Sequence, residues 1–124
     1  MFGPTNLEIL DLFPESVVSK FEHRSDKSFE GLLLGGNLTD LKDLVRQASP
    51  IHYVKNAGPP FLIMHGKKDD IVPYTQSVEF HKELIASGQS SELILFDDGM
   101  HNANNWEPTY IESITQFFCK HLKS

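Results

Sequence analysis

Two short apolar runs in the second half of the chain, each bounded by turn-forming residues, give the clearest structural signal. They are residues 61–64 (Phe-Leu-Ile-Met) and 93–96 (Leu-Ile-Leu-Phe). Continuous apolar runs of this length are typical of parallel strands, because helices cover both faces of a parallel sheet. Residues 75–87 between them have helical spacing, and Gly88 favours a left-handed stop after that helix. The order strand, helix, strand predicts a βαβ unit.

A second helix is predicted after the second strand, and both helices should pack one face on the sheet. Pro108 is favoured in a first helical turn and marks the start of this last helix. The apolar residues expected to face the sheet from the last helix are Ile111, Ile114, Phe118 and Leu122. Those expected to face it from the crossover helix are Val78, Leu84 and Ile85. Cys119 is the only cysteine, which excludes an internal disulfide, and it is interpreted as a packing residue.

The first half of the chain is predicted to be helical but less regular. Leu7 and Leu10 are spaced for a short helix, and Asn37 resembles the start of another. That second helix would place on one face Leu38, Leu41, Val45 and Ala48. The charged residues 21–27 are expected to be exposed, and residues 32–36 (Leu-Leu-Leu-Gly-Gly) are interpreted as a loop in which the glycines allow a tight turn.

The chain has 124 residues, enough for one domain with a real core. Two strands are fewer than the about four to six of a usual sheet. We therefore expect a single, partial α/β domain with few parallel strands flanked by helices. Residues 1–48 would form a helical cap or connecting region, and residues 49–124 the βαβα unit. The shortage of strands indicates that sequence belonging to the same fold is missing.

An acidic and a basic side chain follow the two predicted strands, at the sheet edge where ligands gather in α/β folds. Asp69 comes after the first strand and His101 after the second. If the strands are neighbours, about 4.8 Å apart, their loops converge and the two side chains can meet. A carboxylate that accepts the Nδ1–H of an imidazole fixes its tautomer, and Nε2 can then remove a proton from a nucleophile. The sequence predicts Asp69 and His101 as acid and base, with Asp70 as a competing acid. His65 is expected to hydrogen-bond the loop.

Several short segments occur here in an order and spacing that resemble the C-terminal half of α/β-hydrolase esterases. The resemblance is to acetyl and feruloyl esterases and to prolyl-oligopeptidase-like hydrolases. The matching segments are residues 2–5, 48–54, 59–66 with the His-Gly pair, 72–73, 76–77 and 99–101. The resemblance implies that Asp69, four residues after the histidine of His-Gly, is the triad acid and that His101 is the base. It also implies a serine esterase or lipase-like reaction on a small-molecule ester, through an acyl-enzyme and without a cofactor.

The nucleophile of such a site is not among these residues. None of the serines is framed by glycines as in Gly-x-Ser-x-Gly, and no His-Gly-Gly run is present to form an oxyanion hole. The resemblance implies that both lie upstream of Met1. We therefore expect the chain to supply the acid and the histidine of a Ser-His-Asp triad and to be inactive alone.

Two other classes of function stay open. A truncated, non-catalytic α/β module would expose sheet edge and apolar surface, so that it would self-associate into a homo-oligomer. A Mg²⁺-binding α/β domain could use two pairs of aspartates at the strand edge, namely Asp69–Asp70 and Asp97–Asp98.

Composition narrows the remaining partners. The net charge is −6 and the lysines form no dense cluster, which argues against a nucleic-acid surface. The apolar runs are too short to cross a bilayer, so no membrane association is expected. The six histidines and the cysteine lack zinc-ligand spacing, and no metal is expected from them.

Overall fold

The computed structural model describes residues 3–12, 22–55, 58–101 and 108–122. The helices are α1 (Phe29–Leu34), α2 (Lys42–Gln47), α3 (Thr75–Ala86) and α4 (Pro108–His121), and the strands are β1 (Phe61–Gly66) and β2 (Ser91–Phe96). Two 3-10 helices, Leu7–Leu12 and Pro50–Tyr53, complete the elements. No helix within the described ranges has the length and apolar character needed to span a bilayer.

The second half of the chain forms the predicted βαβ unit. β1 and β2 pair in parallel from Phe61↔Ser91 to Gly66↔Phe96, and α3 makes the crossover between them. The buried residues of this half are Ile63, Phe80 and Leu84, with Ile51, Val54, Phe61 and Leu93 packed against them. Because the strands are parallel and in register, their carboxyl ends meet at one sheet edge.

The described part of the first half is helical and has a small core of its own. Its buried residues are Leu7, Leu38 and Val45, with Leu34, Leu41 and Ala48 packed around them. The four apolar residues predicted to share a face after Asn37 all lie in this cluster. The predicted helix start is wrong, because α2 begins at Lys42, so Leu38 and Leu41 reach the cluster from the segment before the helix. The hydroxyl of buried Ser49 accepts the N–H of Leu7 at 2.9 Å and donates to the carbonyl of Val45 at 2.7 Å. The boundary predicted between residues 48 and 49 stays a prediction.

The loop interpretation of residues 32–36 is wrong, because α1 occupies most of this run. The Ser28 hydroxyl accepts the Gly31 N–H at 2.8 Å and caps the helix start. Gly35 ends the helix in the left-handed conformation, with φ of 85°, and its N–H donates to the Gly31 carbonyl. Both capping residues can be recognised in the sequence, but the helix between them is too short to show a clear apolar periodicity.

The predicted inward face of α4 is also wrong in part. Phe117 is buried, and Tyr110, two turns earlier on the same face, lies against Phe96 with ring centroids 3.9 Å apart. The residues left exposed are Ile111 (58%), Phe118 (51%), Leu122 (72%) and Cys119. A two-stranded sheet offers a narrow surface, and the Tyr110 ring makes the contact with Phe96 of β2. In α3, similarly, Phe80 and Leu84 are buried whereas Ile85 is exposed.

A buried glutamine at the start of α3 connects the two halves. The Oε1 atom of Gln76 accepts the backbone N–H groups of Thr5 and Asn6 at 2.9 and 2.8 Å, and its Nε2 donates to the Asn6 carbonyl at 3.0 Å. The Thr5 hydroxyl donates to the Gln76 carbonyl at 2.9 Å. Since Gln76 is only 1% exposed, water cannot replace these partners.

Replacing Gln76 with alanine should destabilise the fold by about 2 to 4 kcal/mol, because two N–H groups lose their acceptor in a buried setting. The measurement is urea unfolding followed by circular dichroism. Gln116→Ala, on the exposed face of α4, is the control and should change the free energy of unfolding by less than about 0.5 kcal/mol. Equal effects of the two substitutions would contradict the role assigned to Gln76.

Candidate active site

Two loops that follow the parallel strands meet at the sheet edge. The acid loop, residues 67–73, follows β1, and the base loop, residues 97–101, follows β2. The Lys68 N–H donates to the Gly99 carbonyl at 2.9 Å, and the Lys67 N–H donates to the Phe96 carbonyl at 2.8 Å. A Cβ atom on Gly66 would lie 2.1 Å from the Gly99 oxygen. Glycine at position 66 is therefore what allows the two loops to touch.

The carboxylate of Asp69 is the centre of the acid loop. Its Oδ1 atom accepts the backbone N–H groups of Ile71 at 2.9 Å and Val72 at 2.8 Å. An aspartate that accepts N–H groups two and three residues ahead closes a tight local turn. The Asp69 side chain is 0% exposed, so the turn holds its charge inside the protein.

The structure brings His101 to this carboxylate. Its Nδ1 atom lies 2.9 Å from Oδ2 and 3.0 Å from Oδ1 of Asp69. The His101 side chain is 28% exposed, in contrast to the fully buried Asp69 side chain. The carboxylate that makes this contact belongs to Asp69. The arrangement can hold a neutral imidazole with its proton on Nδ1 and can stabilise an imidazolium.

A second histidine contacts the same carboxylate from the buried side. The Nε2 atom of His65 lies 3.0 Å from Asp69 Oδ2 and 2.9 Å from the Val72 carbonyl oxygen. Its Nδ1 atom lies 2.6 Å from the hydroxyl of Ser77 on α3. His65 therefore hydrogen-bonds the acid loop, as the sequence predicts, although its contact with Asp69 itself was not anticipated.

These contacts set the protonation of Asp69. Burial alone would raise the pKa of the Asp69 carboxyl, but hydrogen bonds from His65, the Val72 and Ile71 N–H groups and His101 outweigh burial, and the pKa is lowered. The carboxylate is consequently ionised at neutral pH despite its burial. A buried charge is tolerated in a protein when donors surround it in this way.

A buried ion pair holds the acid loop from the other side, and sequence reasoning missed it. His23 is 2% exposed, so the expectation that residues 21–27 are exposed is wrong at this position. Its Nδ1 lies 3.0 Å from Glu30 Oε1, and its Nε2 lies 3.2 Å from the Ile71 carbonyl oxygen. The hydrogen bond that the His23 ring donates to the Glu30 carboxylate outweighs burial and raises the pKa of His23. Hydropathy spacing carries no signal for such a pair, since both side chains read as polar surface.

Three of the four aspartates considered for Mg²⁺ have other partners. Asp97 pairs with Lys67 at 2.6 Å, Asp98 pairs with Lys68, and the Asp69 carboxylate faces histidines and backbone N–H groups. Across the ranges that the structure describes, no group of three or more histidine, cysteine, aspartate or glutamate side chains is arranged to hold a metal ion. The geometry therefore gives no support to the Mg²⁺-binding alternative.

Comparison with known proteins identifies a family to which this chain is similar. The model of the BD-FAE family matches residues 1–84 of the 124 in the chain. Esterase LipQ of Mycobacterium tuberculosis is 37% identical over 62 residues, which are 50% of this chain and 15% of LipQ. The uncharacterized peptidase YuxL of Bacillus subtilis is 35% identical over 54 residues, which are 44% of this chain and 8% of YuxL. The chain thus spans a small part of the relatives that it matches.

The same likeness extends to solved structures. A truncated carbohydrate esterase from gut microbiota superposes with a TM-score of 0.82 at 26% sequence identity. The match covers 97% of this chain and 40% of that protein. The predicted fold class, part of an α/β-hydrolase fold, is confirmed. The family resemblance stated from the sequence is confirmed as well.

The pH dependence of stability tests the buried carboxylate. Because the pKa of Asp69 is lower in the folded chain than in the unfolded chain, its contribution is present above about pH 4 and is lost as the pH falls through the folded value. Asp69→Asn should therefore reduce stability at pH 7 and make the loss on acidification shallower. Urea unfolding between pH 7 and pH 3 measures both effects.

Asp43→Asn is the matched control, because Asp43 is exposed on α2. Its stability curve should run parallel to that of the unmodified chain. An acid-induced loss in Asp69→Asn as steep as in the unmodified chain would contradict the assignment.

Proposed function

Because the chain belongs to the BD-FAE family, we propose that it supplies the acid and the general base of a carboxylic ester hydrolase. The observation that carries this proposal is the 2.9 Å contact between Asp69 Oδ2 and His101 Nδ1 at the carboxyl edge of the parallel strands. Ester hydrolysis is the family-level activity that the esterase relatives support. The roles of Asp69 and His101 in that hydrolysis are our proposal.

In the proposed reaction Asp69 orients His101 and His101 moves the proton. With Nδ1 bound to the carboxylate, Nε2 takes the proton of a nucleophilic hydroxyl as that oxygen attacks the ester carbonyl. The same nitrogen then gives the proton to the leaving alcohol. The ionised Asp69 stabilises the imidazolium that exists between these steps. The buried acid and the partly exposed base suit this division, because only the base has to reach a substrate.

The nucleophile in this proposal is a serine outside these 124 residues. No serine of the chain lies in a Gly-x-Ser-x-Gly turn, and no His-Gly-Gly segment offers oxyanion donors. The short coverage of LipQ and YuxL leaves room for such segments elsewhere in a longer protein. A missing oxyanion donor alone raises the barrier by about 3–4 kcal/mol. We therefore propose that the chain by itself hydrolyses esters weakly or not at all.

A chimera provides the test of activity. The gut carbohydrate esterase would keep its own nucleophile, and this chain would replace the part that superposes on it. The chimera should hydrolyse p-nitrophenyl acetate, and His101→Ala or Asp69→Asn should lower kcat/KM by about 10²-fold or more. The 124-residue chain alone should match its own His101→Ala variant.

His52→Ala is the control in the chimera, because the His52 side chain pairs with Glu8 at the surface. It should leave kcat/KM within about twofold of the parent chimera. A folded, active chimera that is indifferent to His101→Ala would contradict the proposal. A p-nitroanilide substrate in the same assay separates ester hydrolysis from the peptidase chemistry that the name of YuxL suggests.

A second proposal, self-association, is favoured by the apolar surface of the described residues. Phe29, Leu32 and Leu33 on α1 are 79%, 69% and 77% exposed, and apolar residues of α4 are also exposed. Within the described ranges β1 and β2 pair only with each other, which leaves strand edges open to another chain. The chain would bury these surfaces against a second copy of itself.

Light scattering tests this second proposal. The chain should form a dimer or a larger assembly at tens of micromolar, and replacement of the three exposed α1 residues by serine should shift it towards the monomer. Ile85→Ser, which removes a single exposed apolar side chain from α3, is the control and should leave the assembly unchanged. A cooperatively unfolding monomer of the unmodified chain would contradict self-association.

A further inference from the structure

We propose that His65, held by Ser77, is a positioning residue that keeps the carboxylate of Asp69 in place for His101. The inference rests on the proposed roles of Asp69 and His101. It concerns the opposite side of the carboxylate, which faces the protein interior.

The proton on His65 can be located from its partners. Nε2 lies 3.0 Å from Asp69 Oδ2 and 2.9 Å from the Val72 carbonyl oxygen. A carbonyl oxygen only accepts hydrogen bonds, so Nε2 must carry a proton and donate it. On the other side of the ring the Ser77 hydroxyl lies 2.6 Å from Nδ1 and can donate to it. Neutral His65 therefore has its proton on Nε2, the opposite tautomer from that expected for His101.

The two imidazoles that contact Oδ2 of Asp69 differ in what they do during the proposed reaction. His101 is partly exposed, and in the proposed reaction it gains and loses a proton, so its hold on the carboxylate changes during each turnover. His65 has 0% side-chain exposure, and its proton on Nε2 is not exchanged with substrate. Oδ1 is held separately by the Ile71 and Val72 N–H groups. His65 thus fixes the Oδ2 side of the carboxylate throughout the cycle.

The anchoring of His65 runs into the core. His65 is the second-last residue of β1, and Ser77 lies in the first turn of α3, next to buried Gln76 and three residues before Phe80. Strand and helix share the buried cluster around Ile63 and Leu84. A site residue supported by packed regular structure keeps its geometry better than one supported by loop alone. This path from α3 to Asp69 is what makes positioning, and not space filling, the role of His65.

The inference is tested by measuring the tautomer of His101 in the 124-residue chain. Long-range ¹H–¹⁵N correlation spectra, recorded where the ring is neutral, report which ring nitrogen carries the proton. In the unmodified chain we expect His65 protonated on Nε2 and His101 protonated on Nδ1. His65→Leu removes the donor, and the His101 ring ¹⁵N shifts should move towards an average of both tautomers. His65→Gln, whose amide can donate to Asp69 and Val72, should restore much of the Nδ1–H form.

Two further variants keep the test decisive. Ser77→Ala leaves the ring but removes its support, and it should shift His101 in the same direction by a smaller amount; it replaces His65→Leu if that variant does not fold. His81→Gln removes another histidine–serine contact, of 2.9 Å to Ser91, and should leave the His101 shifts unchanged.

Unaltered His101 shifts in whichever of His65→Leu and Ser77→Ala is folded would overturn the inference. Because the spectra do not depend on turnover, they separate this inference from the proposed function. An inactive chimera with the predicted spectra would reject the hydrolase roles, while active chimeras with unaltered spectra would reject the positioning role alone.

Discussion

A buried negative charge governs the construction of this site. The Asp69 side chain is 0% exposed, and an ionised carboxylate without partners is very costly in such a place. Two backbone N–H groups and two imidazoles surround it. The acid loop provides both N–H groups, the end of β1 provides one imidazole, which the start of α3 supports, and the base loop provides the other imidazole. Loss of any of them would act on the charge and, through it, on the others.

The parallel pairing of β1 and β2 makes this arrangement possible. In-register pairing brings Gly66 beside Phe96, and the absence of a side chain at Gly66 lets the acid loop contact the Gly99 carbonyl. The His23–Glu30 pair then holds Ile71 from outside the sheet. The site is therefore held by several separate parts of the chain, although the two residues with proposed roles in the reaction come from only two loops.

The exposed apolar surface is consistent with a chain that corresponds to a small part of the length of its relatives. The α1 and α4 helices direct large apolar side chains outwards, whereas helices in α/β folds usually bury such residues against the sheet. The gut carbohydrate esterase contains an equivalent of nearly the whole chain within 40% of its length. The absent nucleophile motif supports the proposal that the nucleophile comes from outside these residues, and the apolar surface supports the proposed self-association.

The sequence by itself determined the elements whose signals are local. Apolar runs gave the two strands, Gly88 and Pro108 marked helix boundaries, and the spacing of Asp69 and His101 after the strands indicated that the two side chains could meet. Only the tertiary structure showed that Asp69 contacts His101 and that the His65 imidazole contacts the same carboxylate. The buried pair of His23 with Glu30 was likewise decided only by tertiary structure. Tertiary structure also decided that Tyr110 and Phe117, and not Ile111 and Phe118, form the packed face of α4. Local propensity follows from neighbours along the chain, whereas burial of a polar side chain depends on which distant groups arrive to satisfy it.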